Sequence, residues 1–297
     1  MKTSKTNYKC HFCEVCVGKG CTAELPGMGG VFESRNFVLN CAAWDGFSLD
    51  SFSDKERKKI PRAKVRLAPI TGALQNVGYH DEKAFYKDLT EFVFKAGFRL
   101  SIGDGTPDDK LQFGIQAVQK LQEKKPKTKA AVFLKPYANE ILFERIEWAS
   151  PVAEIIGIDI DAYNILTMRN LVNLEKKTAS QMKEVQKKAG LPFAVKGVFT
   201  SADMDLVKEL RPDIVVVSNH GGRVETDIGS SAEFLARRGR ELRNYCGEIW
   251  VDGGIRKQRD VEIASFLGAS EVLVGRPFIT ALCRGDSAES LRNTFAR

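Results

Sequence analysis

The chain has 297 residues, 43% of them hydrophobic, and a formal net charge of +7. That hydrophobic content excludes a disordered chain, and the length suits one barrel of roughly 250 residues with an N-terminal extension. The basic excess is interspersed with Asp and Glu and forms no aromatic-studded stripe, which argues against nucleic acid and for anionic small ligands plus solvated surface.

Read from its start, the chain divides into a Cys-rich extension over residues 1–60 and a second unit over residues 61–297. The opening stretch has no apolar signal-peptide core, and no apolar run approaches the roughly 18 residues that span a bilayer. A soluble, cytoplasmic protein with reduced thiols is the expectation. Cys10, Cys13, Cys16 and Cys21 form the pattern C-x2-C-x2-C-x4-C. Four thiolates so close together suit Zn2+ or an iron–sulfur cluster. The last gap of four residues, with no proline after it, departs from a ferredoxin run, so disulfide pairs and unliganded thiols stay open. Cys41, Cys246 and Cys283 are scattered and read as core residues.

From residue 64 onward, short apolar runs alternate with longer stretches at helical spacing. The expected strands are Val65–Ala68, Phe98–Ser101, Ala131–Leu134, Ile155–Ile158, Phe193–Val195, Ile214–Val217, Ile249–Val251 and Val272–Val274. Between them lie expected helices at Glu82–Ala96, Asp108–Glu123, Asn139–Ala149, Thr178–Ala189, Ala202–Leu210, Ala232–Tyr245 and Lys257–Leu267. Ser201 and Ser231 stand where helix caps are wanted. Continuous apolar strands separated by amphipathic helices predict parallel strands covered by helices. Eight such units favour an α/β fold of the (β/α)8 TIM-barrel kind over an open doubly wound sheet.

In such a barrel the chemistry sits where the strands end. The fifth strand ends in Lys196-Gly197, and the sixth runs into Ser218-Asn219-His220-Gly221-Gly222-Arg223. The seventh ends in Asp252-Gly253-Gly254-Ile255-Arg256 and the eighth in Gly275-Arg276-Pro277. Gly253, Gly254 and Gly275 let backbone approach a phosphate, and Arg256 and Arg276 can add charge-assisted bonds. Tight-turn glycines with solvated arginines are the plainer alternative. Lys196 emerges into the barrel mouth as a Schiff-base former, an ion-pair partner or a cation facing a reduced flavin; the neighbouring strand ends favour the last. His220, in a Gly-rich turn after a buried strand, suits general-base work, with a histidine that merely caps or packs as the plainer alternative. Arg223 carries the fork that clamps a carboxylate. Asp161 reads either as the partner that orients His220 or as a helix cap.

These motifs together resemble the FMN-dependent α-hydroxy-acid dehydrogenase/oxidase family, the group of glycolate oxidase, lactate oxidase and flavocytochrome b2. The resemblance is strong over residues 190–280 and looser over 64–190. It implies a (β/α)8 fold, bound FMN, and a small 2-hydroxy acid oxidised to the 2-oxo acid, with a hydride or carbanion equivalent passing to flavin N5. It further implies His220 as base, Asp161 as its partner, Arg223 on the substrate carboxylate and Lys196 at the flavin N1/O2 edge. Asp252, Arg256, Gly275 and Arg276 would hold the ribityl-phosphate, with Ser218 beside them. Ala68-Pro69-Ile70 resembles the family's first strand end, whose backbone faces the flavin ring. Family members often assemble as homo-oligomers; these residues carry no signal for that, nor for the electron acceptor.

Several positions depart from the family. Its N-terminal tyrosine-bearing segment has no counterpart here. Its Gln-x-Tyr after strand three is replaced by Lys135-Pro136-Tyr137, which leaves Tyr137 as the candidate substrate hydroxyl and puts an unexpected Lys135 in the mouth, where a flavin or substrate anion would meet it. Asp159 stands where threonine is frequent, and Arg169 lies one position from the expected active-site arginine. The cysteine-bearing start resembles a clostridial-type subgroup. Other readings are a non-redox FMN barrel of the type 2 isopentenyl diphosphate isomerase kind, a sugar-phosphate barrel without flavin, and a decayed flavin- or metal-binding protein.

Overall fold

The computed structural model describes residues 34–50, 53, 55, 59–77, 79–164 and 172–296. Eight parallel strands form one sheet: β1 (Lys64–Leu67), β2 (Leu100–Gly103), β3 (Ala130–Leu134), β4 (Ala153–Asp159), β5 (Phe193–Val198), β6 (Ile214–Val217), β7 (Glu248–Asp252) and β8 (Glu271–Val274). The ladder runs from β2 through consecutive neighbours to β8 and on to β1. Closure between β1 and β2 rests on one bridge, Arg66 to Arg99, where Leu67 N–H donates to Arg99 O at 2.8 Å. The barrel reading is therefore correct, with its thinnest seam at that pair.

The described helices are α1 (Arg35–Ala43), α2 (Glu82–Lys95), α3 (Asp109–Gln122), α4 (Asn139–Ala149), α5 (Ala179–Ala189), α6 (Ser201–Leu210), α7 (Ser231–Leu242), α8 (Gln258–Phe266), α9 (Arg276–Arg284) and α10 (Ala288–Phe295). None is long and apolar enough to cross a membrane. Strand residues alternate between two cores, as period-two geometry requires. Outward residues such as Val132, Val195 and Val251 pack beneath the helices. Inward residues Ala131, Phe133, Ile155, Ala194, Ile214, Val216, Trp250 and Leu273 fill the barrel, with Ala68 against them. Beside this plug the fully buried Arg66 donates to Glu271 at 2.7 Å and lies 4.9 Å from the Trp250 ring. A buried guanidinium is tolerable there because Nε and Nη1 meet carboxylates and the Leu100 carbonyl, although Nη2 has no hydrogen-bond partner.

Three expectations shift. β2 begins two residues later than its apolar run, because Phe98 is used outside the barrel, stacked at 5.2 Å on Phe278 of α9. The caps of α6 and α7 are Thr200 and Ser230, one residue before the serines expected. Each accepts from the backbone three residues on, and Asp203 or Glu233 returns the bond, so the capping box fixes the register. Finally, α1, α9 and α10 fall outside the expected helices. Arg276 and Pro277 do not extend a strand end; they open α9, with Gly275 as its cap.

Candidate active site

The strand C-termini place Lys196, Ser218, His220 and Asp252 together with Asp159 and Asp161 of the β4 end. Asp159 and Lys196 are register partners on β4 and β5, and both point into the mouth. Lys196 Nζ lies 3.1 Å from Asp159 Oδ1 and 3.6 Å from Asp252 Oδ2. Burial alone would lower the lysine, but Asp159 and Asp252 outweigh it and hold Lys196 charged, above its ordinary value. Burial would likewise raise Asp159, yet Lys135 and then Lys196 hold it well below the usual carboxylate range. Asp252 is raised by burial, against the pull of Lys196.

His220 has φ 56°, an uncommon setting for a side chain other than glycine. The turn is braced on both sides. Ser218 Oγ accepts the His220 N–H at 3.1 Å, and Asn219 Oδ1 accepts the Gly222 N–H at 3.0 Å. The ring is 15% exposed, with Nδ1 3.0 Å from Asp161 Oδ1. Asp161 is thus a partner of the imidazole. Burial and then the Lys196 charge lower His220, while Asp161 pulls it upward.

α1 lies across the ends of β6 and β7. Asn40 Nδ2 donates to Asn219 Oδ1 at 2.7 Å, and Ser231 donates to Asn40 Oδ1 through N–H and Oγ. Trp44 Nε1 donates to Gly253 O at 2.8 Å. The close approach at Gly254 is therefore to this helix, and at Gly253 to the start of α7 and to Asn40 of α1. A Cβ on Gly253 would meet Ser231 Oγ at 2.5 Å, and one on Gly254 would overlap the Asn40 carbonyl. Arg256 Nη2 reaches Cys41 Sγ of α1 at 3.6 Å.

The sequence reading did not assign functional roles to Asp104, Arg145 or Asn40, and it set Lys135 in the mouth against a flavin or substrate anion, without its aspartate partner. Lys135 Nζ bonds Asp159 Oδ2 at 2.7 Å. Two family departures on adjacent strands, of opposite charge, are the signal that could have paired them. Asp104 after β2 accepts from the Lys135 N–H at 3.1 Å and from Arg145 Nη1 at 2.6 Å. Burial pushes Asp104 up to about 6 in spite of Arg145. Tyr137 is buried, its ring 4.4 Å from the Arg145 guanidinium. Arg169 and Cys10, Cys13, Cys16 and Cys21 lie outside the described residues. Cys283 is buried as expected, whereas Cys41 and Cys246 are half-buried.

The fit to FMN is testable on the donor set. Asp252 Oδ1 and Asp161 Oδ2 are buried with no hydrogen-bond partner, which suits hydroxyl-bearing ligands. A Cβ on Gly275 would sit at ordinary contact, 3.6 Å, from Ala68 and Ile70, so the β1 and β8 ends are small and smooth. Gly275 caps α9 without a side-chain bond, a helix start suited to phosphate. Asp159, Asp161 and His220 converge within 4.8 Å, but both Asp159 oxygens already face ammonium groups, which disfavours a metal ion there. The residues fit the nucleotide.

The description "FMN-dependent dehydrogenase" matches residues 119–290, more than half of the chain, and the chain belongs to that family. It is 38% identical over 109 residues to the L-lactate dehydrogenase (cytochrome) of Saccharomyces cerevisiae, covering 35% of this chain and 18% of that one. It is 35% identical over 97 residues to 2-hydroxyacid oxidase 2 of Rattus norvegicus, covering 32% of this chain and 27% of that one. The matched segments thus span less than a third of these relatives' length. Among solved structures, the flavin-binding domain of baker's yeast flavocytochrome b2 superposes with a TM-score of 0.63 at 20% identity, over 93% of this chain and 79% of that one. A mandelate oxidase gives 0.62 at 19%, over 91% and 86%. The barrel is common to all three.

Proposed function

We propose that this chain oxidises a small 2-hydroxy acid, of the lactate or glycolate kind, to the 2-oxo acid with FMN as cofactor. The observation that carries the reading is Asp161 held 3.0 Å from Nδ1 of His220, beside a charged, buried Lys196. The names of the relatives, lactate dehydrogenase and 2-hydroxyacid oxidase, point to the same substrate class.

Bound FMN would supply the two-electron acceptor. Asp252 would hold its ribityl hydroxyls, and Gly275, Arg276 and Arg256 its phosphate, while the backbone of Gly253 and Gly254 is packed against α1. Ala68, Pro69 and Ile70 would floor the ring, Ser218 would line it, and Lys196 would face its N1/O2 edge. Arg223 would clamp the substrate carboxylate, with Arg169 and Tyr137 as further substrate contacts.

With Nδ1–H donated to Asp161, Nε2 of His220 is left as the basic nitrogen. It would take the substrate hydroxyl proton, so that the oxygen's electron pair forms the C=O of the 2-oxo acid as the Cα hydrogen leaves with its bonding pair for the flavin acceptor. Asp161 then stabilises the imidazolium. Burial and Lys196, against the pull of Asp161, favour the neutral imidazole at rest. The four N-terminal cysteines are proposed, on spacing alone, as ligands of Zn2+ or an iron–sulfur cluster; anaerobic zinc, iron and sulfide analysis tests them.

The experiment is an anaerobic absorbance spectrum of the purified chain before and after L-lactate or glycolate. Flavin bands that bleach in the unsubstituted chain and persist in His220→Ala support the assignment. Bleaching at an unchanged rate in His220→Ala would remove His220 as base, and a colourless protein that takes up no FMN would remove the whole reading.

A further inference from the structure

Inward positions on β3, β4, β5 and β7 end in Lys135, Asp159, Lys196 and Asp252, all buried. The register explains their order. Leu134 pairs with Ile158, and Asp159 with Lys196, so lysine, aspartate and lysine stand side by side on three consecutive strands. Each Asp159 oxygen meets a different ammonium, Lys135 at 2.7 Å and Lys196 at 3.1 Å. Lys196 meets a second carboxylate, Asp252, at 3.6 Å.

The charge balance follows. Lys196 with Asp159 and Asp252 alone would carry one net negative charge in a buried layer. Lys135 brings these four groups to neutrality, while Asp161, which also acts on Lys196, is engaged by His220. A lysine shared by two carboxylates, with no second cation, is poorly placed to stabilise a further anion, because the carboxylates screen it at close range. The acid-held imidazole lies within the same field, since Lys135 and Lys196 both act on His220.

We propose that Lys135 is a charge-balancing residue of the flavin site: by engaging Asp159 it frees the field of Lys196 to stabilise negative charge on a bound flavin ring. This rests on the FMN reading. A lysine that merely ties β3 to β4 would leave the ring's electrostatics unaltered, and that difference is measurable without turnover.

Sulfite is the probe, an anion whose addition to a flavin places negative charge on the ring and bleaches its absorbance. A flavocytochrome b2 with sulfite bound is among the related solved structures. The full chain loaded with FMN is titrated with sulfite. Lys135→Gln is expected to weaken sulfite binding about tenfold, and Asp159→Asn to tighten it by a similar factor. The double variant, which leaves no buried charge unpaired by the exchange, should return within about threefold of the unsubstituted chain. If Lys135→Gln does not fold, Asp159→Asn and the double variant still decide the matter. Sulfite affinity unchanged by the substitutions with FMN bound overturns the inference, as does a double variant as weak as Lys135→Gln. Failure of the unsubstituted chain to take up FMN overturns the FMN reading itself, and this inference with it.

Discussion

Asp161 holds Nδ1 of His220 at 3.0 Å across the gap between the ends of β4 and β6. The pair joins residues 59 apart in sequence, and two opposing influences set its proton affinity. Burial and Lys196 lower the imidazole; Asp161 raises it.

The acidic limb of kcat/KM against pH should therefore lie below the ordinary imidazole value of 6.5. Asp161→Asn deletes the upward influence, so the limb moves to still lower pH while the maximal rate falls by about 10²–10⁴. A limb that moves upward contradicts the electrostatic assignment. The same shift enters stability. Below 6.5 the unfolded chain protonates its imidazole before the folded one does, so this residue's contribution declines as pH falls.

Arg223→Lys keeps the charge but loses the planar fork. It should raise KM for the 2-hydroxy acid roughly tenfold or more, with FMN content unchanged. Steady-state kinetics beside a flavin-to-protein absorbance ratio checks both halves.

Arg145 is a structural counterpart to this site chemistry. Its guanidinium is buried between Tyr137 and Trp148 and bonded to Asp104 and Asp108. Arg145→Met leaves the Asp104 carboxyl buried without its cation, at a cost of about 3–5 kcal/mol. Asp104, already pushed up to about 6 by burial, would then rise further, so the folded state retains its proton to higher pH. The loss in urea unfolding should therefore be larger at pH ~8 than at pH ~5.

Gly254→Ala tests the seat of α1. Gly254 has φ 77°, and a Cβ there would overlap the Asn40 carbonyl. Strain and displacement together should cost about 2 kcal/mol or more and expose α1 itself to protease. A variant as resistant as the parent would show that α1 does not depend on this contact.

The strand ends were legible because a barrel puts its chemistry directly after each apolar run, so Lys196, His220 and Asp252 could be read from local sequence. Asp161 was legible as a candidate only, since a carboxylate after a strand serves as a cap or a partner equally well. The rest depends on distance. Asn40 meets Asn219 across 179 residues, and Arg145 meets Asp104 across 41. No local pattern marks either. Glycines 253 and 254 signalled a close approach correctly, but local sequence could not say that a helix makes it. β2 shifted because Phe98 satisfies the apolar pattern from outside the barrel.

The seat of α1 bears on the order of assembly. Its contacts at Asn219, Ser231 and Gly253 come from segments synthesised some two hundred residues later. This helix leaves the ribosome before these described partners exist and cannot dock on them until β7 is in place. The oldest described part of the polypeptide is then among the last to settle, and its settling completes the support beneath the histidine turn. The mouth is therefore braced from outside only once this helix has docked.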